Sequence, residues 1–355
     1  MGSGVEVPSL NVSKLVNPSA IDLNSIPAKT VEYDFSDGGF ANNMYGLITC
    51  YVVAALTNAT LVCSSFLFLL HLVGNRYPLQ DLFTVTDLSD NPVQVMQFPR
   101  SVHRKRLKMP NICFTKKSKV VQKLMVSPIT GVFNADHIIL STNCPLFAWM
   151  LYNNETYSEI VRLGLLDDRP FESFSPSVHG FRLLSNIVKK HFIMNDDIRT
   201  AVQERRRIIG NNTCVAFHIR MGDKQSDFKE YRSFIFSGDI HAFSNCKVFQ
   251  QYPNATIFVS SDSSFAKSVV LKDNSQRRVV TFSEKAQHSF SAVRSGKGRA
   301  VIHNLLVDIM TIASCDIVIG TYKSSFSLLA AAFQGNPPYW VARRSKCFLP
   351  DRIVY

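Results

Sequence analysis

The chain has 355 residues, 46% of them hydrophobic and only 19% charged, with a net charge of +12. That length suits two domains better than one, and the apolar content supplies two cores, so disorder is excluded outside residues 1–30, where polar residues and prolines dominate. A basic balance invites polyanion binding, but the basic residues do not fall on one helix face and no nucleic-acid motif accompanies them, which argues against a nucleic-acid module.

Residues 38–75 contain no Asp, Glu, Lys or Arg and pass for a membrane span by hydropathy. The interruption at Asn58-Ala-Thr60 favours a buried helix over Met44–Leu56 and a core strand at Thr60–Cys63 instead. Met1–Leu10 has neither a basic start nor an apolar run, so any membrane anchor or targeting segment is expected outside this chain. Arg100, His103, Arg104, Lys105, Arg106 and Lys108, with Lys116, Lys117 and Lys119, read as a solvated basic loop.

Leu183–His191 reads as a helix, and Asn195-Asp-Asp197 as the start of the next, carrying Ile198–Arg207. From there strand and helix alternate. Strands are expected near 213–219, 255–260, 278–283, 316–320 and 338–342, and helices near 230–250, 263–271, 299–314 and 325–334. Such alternation predicts a parallel sheet with helices on both faces. The domain boundary is placed near 195, giving an extended segment 1–30 and domains at 31–195 and 196–355.

Two segments carry chemistry. Val215, Phe217 and Ile219 alternate as in a strand, which runs into Arg220-Met-Gly-Asp223. Ligands of open α/β sheets bind at the C-terminal strand edge, and an Arg there is suited to forking onto a diphosphate. The second segment begins with a helix striped by Val301, Ile302, Leu305, Leu306, Ile309 and Ile312. A short strand, Asp316-Ile-Val-Ile-Gly320, leads through Thr321-Tyr-Lys-Ser-Ser-Phe-Ser327 into another helix. The amides at that helix start form an anion site, with Ser324 or Ser325 as N-cap.

These motifs resemble the fucosyltransferase superfamily, which holds the protein O-fucosyltransferases and the α1,2- and α1,6-fucosyltransferases. His218-Ile-Arg-Met-Gly-Asp223 is similar to its H-x-R-x-(G/T)-D motif, and Ile319-Gly320 through Ser324-Ser-Phe-Ser327 to its last one. Asp37-Gly-Gly-Phe-Ala-Asn-Asn43 is similar to its G-x-F-x-N-Q loop. The three span residues 37–327 in the family's order. The resemblance implies a GT-B architecture: two Rossmann-like domains facing a central cleft, the N-terminal one on the acceptor side and the C-terminal one on the nucleotide-sugar side.

It also implies roles. Arg220 stabilises the leaving diphosphate, its bland alternative being a surface salt bridge to Asp223. Asn42 lies near the reacting sugar. Gly39, Phe40, Asn43, His218, Gly222, Asp223, Asp262, Ser324, Ser325, Phe326 and Ser327 line the nucleotide-sugar site. Asp308 resembles a carboxylate that helps hold guanine, or is an exposed helix residue; His218 orients the loop or the sugar, or is a satisfied core histidine. Asp227 or Glu230 stands where some relatives place a general base, while others work without one. Met221 departs from the second Arg of the α1,6 enzymes.

No C-x-x-C occurs among the eight cysteines, and no metal cluster or nucleotide fingerprint has the right context: Ser295-Gly-Lys-Gly-Arg299 does not follow a strand, and neither Asp167-Asp168 nor Asn195-Asp-Asp197 closes one. Cys63, Cys214 and Cys315 sit in apolar elements and are expected as buried thiols, whereas Cys113, Cys144, Cys246 and Cys347 lie nearer loops and are free to pair. Sequons at Asn11, Asn58, Asn154, Asn211 and Asn254 tilt toward the secretory lumen (Golgi or endoplasmic reticulum), with the cytoplasm as alternative. The expectation is an inverting, metal-independent transferase without cofactor, moving fucose from GDP-fucose to a hydroxyl of a protein or glycan. The alternatives are another nucleotide sugar on the same fold and a silent sugar-binding protein.

Overall fold

The structure, a computed structural model, describes residues 29–34, 39–64, 83–86, 94–96, 105–108, 119–142, 144–167, 175–222, 234–282 and 298–349. It is a mixed α/β fold built on two parallel sheets, GT-B-like in architecture.

The first sheet has the order β4-β2-β1-β6-β5, from β1 (Thr30–Asp34), β2 (Thr60–Ser64), β4 (Gln94–Met96), β5 (Lys105–Lys108) and β6 (His137–Ser141), all parallel. The second has the order β10-β9-β8-β11-β12, from β8 (Cys214–Ile219), β9 (Thr256–Ser261), β10 (Val279–Thr281), β11 (Ile317–Thr321) and β12 (Tyr339–Val341), also parallel. Helices cover both faces of such a sheet, so its strands lose the in–out alternation of a half-exposed strand. All six residues of β8 and of β9 are buried accordingly. A small antiparallel pair joins β3 (Phe83–Val85) to β7 (Phe192–Met194).

The helices are α1 (Phe40–Thr57), α2 (Lys119–Val126), α3 (Ile129–Val132), α4 (Leu146–Met150), α5 (Asn154–Arg162), α6 (Pro176–His191), α7 (Asp196–Ile209), α8 (His241–Ser244), α9 (Val248–Gln251), α10 (Ser264–Asp273), α11 (Gly298–Ala313) and α12 (Ser325–Gln334). Helix α1 is long and apolar enough to cross a membrane, but most of it is buried inside the protein. It ends at Asn58, whose φ of 50° is the left-handed conformation that stops helices. Gly335, at φ 107°, ends α12 in the same way. The halves meet through helices: Ser185 Oγ on α6 donates to Ala332 O on α12 at 2.8 Å, and Phe83 stacks on Phe333.

Three expectations are corrected. In the run expected as a basic loop, Lys105–Lys108 is strand β5, paired with β6, and Lys119 opens α2. The helix expected over 230–250 is, from residue 234 on, a 3-10 turn at Ser237–Asp239 followed by the short α8 and α9. Tertiary anchors break it: Asp239 caps the turn by accepting from Phe236 N at 2.8 Å, and Cys246 is bonded to Cys347. Cys214 and Cys315, expected as thiols, form a disulfide. Parallel register sets Val215 beside Ile317, so both cysteines stand at neighbouring strand entries with Cα atoms 4.8 Å apart, within bridging range. Each bridge closes a separation of 101 residues, and the two loops overlap along the chain. Cys144 is disulfide-bonded too, as its loop position allowed; Cys113 and the side chain of Cys63 lie outside what the structure describes.

Candidate active site

In the second sheet the chain runs outward from β8 through β9 to β10, then returns to β11 on the other side. The β8–β11 boundary is therefore the switch point, where the crevice of an open α/β sheet opens. In the first sheet the same logic selects the β1–β6 boundary. The quoted motifs lie at these two places.

At the end of β8 the Arg220 amide leaves the ladder and donates to Thr321 Oγ1 at 2.9 Å, while Thr321 Oγ1 donates to His218 O at 3.2 Å. The next two amides turn toward β9. Met221 N and Gly222 N donate to Asp262 Oδ1 and Oδ2 at 2.8 and 3.1 Å. Gly222 has φ 66°, a conformation open to glycine at little cost. Asp262 thus clamps the turn that carries Arg220. Its buried carboxyl is pushed up from the usual range by desolvation, against the pull of the Arg220 charge and the amides of Met221, Gly222 and Asp262 itself.

The Arg220 guanidinium lies 3.4 Å from Asp262 Oδ2 and 5.7 Å above the Phe234 ring, with 20% of the side chain exposed. The expected alternative partner, Asp223, lies outside the described residues, as do Asp227 and Glu230.

Across the switch point, β11 delivers the start of α12. Ser324 is the N-cap, accepting from Ser327 N. The amides of Ser325 and Phe326, ahead of the capped Ser327 amide, have no intrahelical acceptor and point out of the helix start. Lys323 before the cap sits at φ 64°. Ser327 packs so close to β11 that a Cβ on Gly320 would lie 2.5 Å from Ser327 Cβ. Its Oγ lies 2.6 Å from His218 Nδ1, and Phe326 stacks on the same imidazole at 4.5 Å. Burial, then the Arg220 charge, hold His218 down to about 3, so it is neutral near neutral pH. His218 is thus buried, hydrogen-bonded through Nδ1, and joins the two motifs.

At the other switch point the expected loop is already helical. Gly39 is the N-cap of α1, buried Phe40 its first residue, and Asn42 and Asn43 lie in its first turn. Asn43 Oδ1 accepts from Tyr33 Oη at 3.1 Å, an hydroxyl that also reaches Thr142 O at 3.0 Å. Asn43 therefore anchors the helix start, beside half-buried Asn42. A Cβ on Gly46 would fall 2.1 Å from Thr142 O, so only glycine lets α1 approach this closely. Tyr45 Oη donates to Ser325 O at 2.8 Å, which ties the second turn of α1 to the first residue of α12.

Asp308 on α11 is neither an exposed residue nor a carboxylate standing alone. It pairs with buried Arg205 of α7 and accepts from Ser260 Oγ at 3.3 Å. Arg205 in turn covers the Phe282 ring at 4.6 Å. Thr321, Tyr45, Arg205 and Phe234 were not singled out by the sequence. Thr321 sat inside the quoted motif; the other three leave no mark in an apolar helix, an arginine run and an aromatic-rich segment.

No family model matches the chain, and no curated protein matches it in sequence. Solved structures do match. An arginine-to-lysine mutant of FUT1 from Arabidopsis thaliana, in complex with GDP, superposes with a TM-score of 0.64 over 93% of this chain and 76% of that one, at 11% identity. POFUT1 in complex with GDP-fucose does so with a TM-score of 0.50 over 90% and 98%, at 12% identity. The fold is that of the fucosyltransferases. At such identities the likeness lies in the path of the chain. The fucosyltransferase fold sets both switch points, and the residues that stand there are this chain's own.

Proposed function

We propose that the protein transfers fucose from GDP-fucose to a hydroxyl of a protein or glycan, with inversion and without a metal. The observation that carries this reading is the convergence of Arg220, the α12 start at Ser324–Ser325 and the α1 start at Gly39–Asn43, on a fold whose solved examples hold GDP and GDP-fucose. In the proposed step the acceptor oxygen attacks the anomeric carbon from the face opposite the diphosphate. The bond to the β-phosphate oxygen breaks, its electron pair goes to that oxygen, and the acceptor proton passes to Asp227, Glu230 or solvent. Arg220 and the α12 amides meet the growing negative charge, and fixed donors of this kind stabilise it without a metal. Asn42 faces the sugar. Residues 196–355 form the nucleotide-sugar side and 31–195 the acceptor side.

The bridges Cys214–Cys315 and Cys246–Cys347, with exposed sequon asparagines at 58, 154, 211 and 254, support a secretory lumen. Calorimetry with GDP, GDP-fucose and other nucleotide sugars tests the donor. Saturable binding of GDP-fucose with GDP release is expected, unchanged by EDTA. Preference for another sugar selects the first alternative, and binding without turnover selects the silent one. Turnover lost to EDTA and restored by manganese overturns the metal-free step.

A further inference from the structure

The Arg220 turn has a second layer of support that no motif contains. Phe234 N donates to Met221 O at 2.9 Å, and its ring lies under the Arg220 guanidinium, within the range of a cation–π contact. Phe234 is held in turn from the C-terminal segment: Arg343 Nε donates to Phe234 O at 3.1 Å, and the Arg343 guanidinium covers the Phe236 ring at 4.8 Å. One residue on, Arg344 N donates at 2.7 Å to Asp239 Oδ1, the same buried carboxylate that caps Phe236 N. Cys347 is bonded to Cys246, and Phe348 exchanges two backbone hydrogen bonds with Trp340 of β12. The C-terminal segment is thereby fixed at both ends of its contact with residues 234–239.

From this chain of contacts we infer that Arg343–Cys347 is a brace whose purpose is to position Arg220, with Phe234 as the positioning residue between them. The inference rests on the reading of Arg220 as the donor-phosphate ligand. An Arg has many rotamers, and a group that must meet charge only in the transition state gains from having them removed beforehand. Asp262 restrains the guanidinium from the β9 side; Phe234 supplies an aromatic face against it, and the brace keeps Phe234 from drifting. Misplacement by about an ångström costs up to about a hundredfold in rate. Because Arg220 acts on the leaving group, the loss falls on kcat more than on KM.

The test measures GDP release from GDP-fucose into water, so no acceptor has to be known. Phe234→Leu keeps apolar bulk and removes the ring; it should lower kcat about tenfold with little change in KM, and Phe234→Tyr should restore it. In an Arg220→Lys background Phe234→Leu should add almost nothing, because both changes act through one group. Independently of turnover, Arg343→Ala should speed hydrogen exchange of the Met221 and Gly222 amides, with Phe234→Leu as the second variant if Arg343→Ala fails to fold. Unchanged exchange in a folded variant, or Phe234→Leu losses of equal size in both backgrounds, would overturn the brace. A normal rate in Arg220→Ala would instead overturn the functional reading, and the exchange result alone would then decide whether the brace orders this turn.

Discussion

His218 Nδ1 and Ser327 Oγ lie 2.6 Å apart, although 109 residues separate them in the chain. Together with the bonds of Thr321 Oγ1 to Arg220 N and His218 O, this hydrogen bond joins the motif that ends β8 to the motif that starts α12, and Phe326 stacks on the imidazole. The two halves of the proposed donor site therefore share a buried, uncharged hinge pin.

That pin makes the fold sensitive to acid. His218 is lowered to about 3 in the folded protein against 6.5 ordinarily, so below pH 6.5 the unfolded chain binds a proton that the folded one does not. Stability should be full above pH 6.5 and fall as the pH drops toward 3, by about 2 kcal/mol between pH 7 and pH 5. Urea denaturation at the two pH values measures it. His218→Gln should flatten this limb; an equally steep limb in that variant assigns the acid sensitivity elsewhere.

Arg220→Ala should lower turnover about a hundred- to a thousandfold, and Arg220→Lys should recover little, since the ammonium lacks the bidentate fork. Its fold should not be entirely spared, because Asp262 then loses its cation while keeping the Met221 and Gly222 amides. A loss of about 1–3 kcal/mol in stability is expected. Steady-state GDP release beside thermal melting separates the two effects, and near-normal turnover in a folded Arg220→Ala protein removes this turn from the donor site.

Gly320→Ala tests the close approach of β11 and α12. The new methyl would sit 2.5 Å from Ser327 Cβ, in a buried place with no room to yield. Overpacking of this kind costs about 1–3 kcal/mol and should displace the α12 start. GDP affinity by calorimetry should fall with the melting temperature. Unaltered affinity in a folded variant would show that the helix start does not hold the diphosphate.

The Cys214–Cys315 bridge stands at the strand entries, away from the C-terminal edges where the motifs lie. Replacing both cysteines by Ser should cost about 2–5 kcal/mol while kcat, measured below the new melting transition, stays within about twofold. A large loss of kcat in that folded double variant would contradict this separation of stability from catalysis.

Glycan mapping checks the compartment. Produced in a secretory host, the chain should carry sugars on Asn154 and Asn254, both exposed. Uniformly bare sequons together with reduced Cys246 and Cys347 would place it in the cytoplasm.

The second sheet was readable because its strands and helices alternate with little interruption: every expected strand between 213 and 342 is present within a few residues. In the first sheet only β2, expected at Thr60–Cys63 and found at Thr60–Ser64, was readable. The first strand, β1, alternates polar and apolar residues over only five positions, too short a run to stand out, and the His-Ile-Ile-Leu-Ser of β6 does not alternate at all. Asn42 and Asn43 were both expected at the site, and only the hydrogen bond from Tyr33 shows that Asn43 holds the helix start. Likewise Asp308 and Arg205 are 103 residues apart, and nothing in either segment announces their pairing. Motifs report what a site needs locally, whereas the partners that orient it come from distant segments.

The overlap of the two disulfide loops has a consequence for how the chain survives damage. The spans 214–315 and 246–347 cross each other, so every peptide bond between Cys214 and Cys347 is bypassed by at least one bridge. A protease that cuts once anywhere in that stretch leaves a single covalent molecule, and its fragments part only on reduction. The segment that bears Arg220, Asp262 and Ser324 is in this sense a closed circuit: one nick opens the chain without letting any of the three leave.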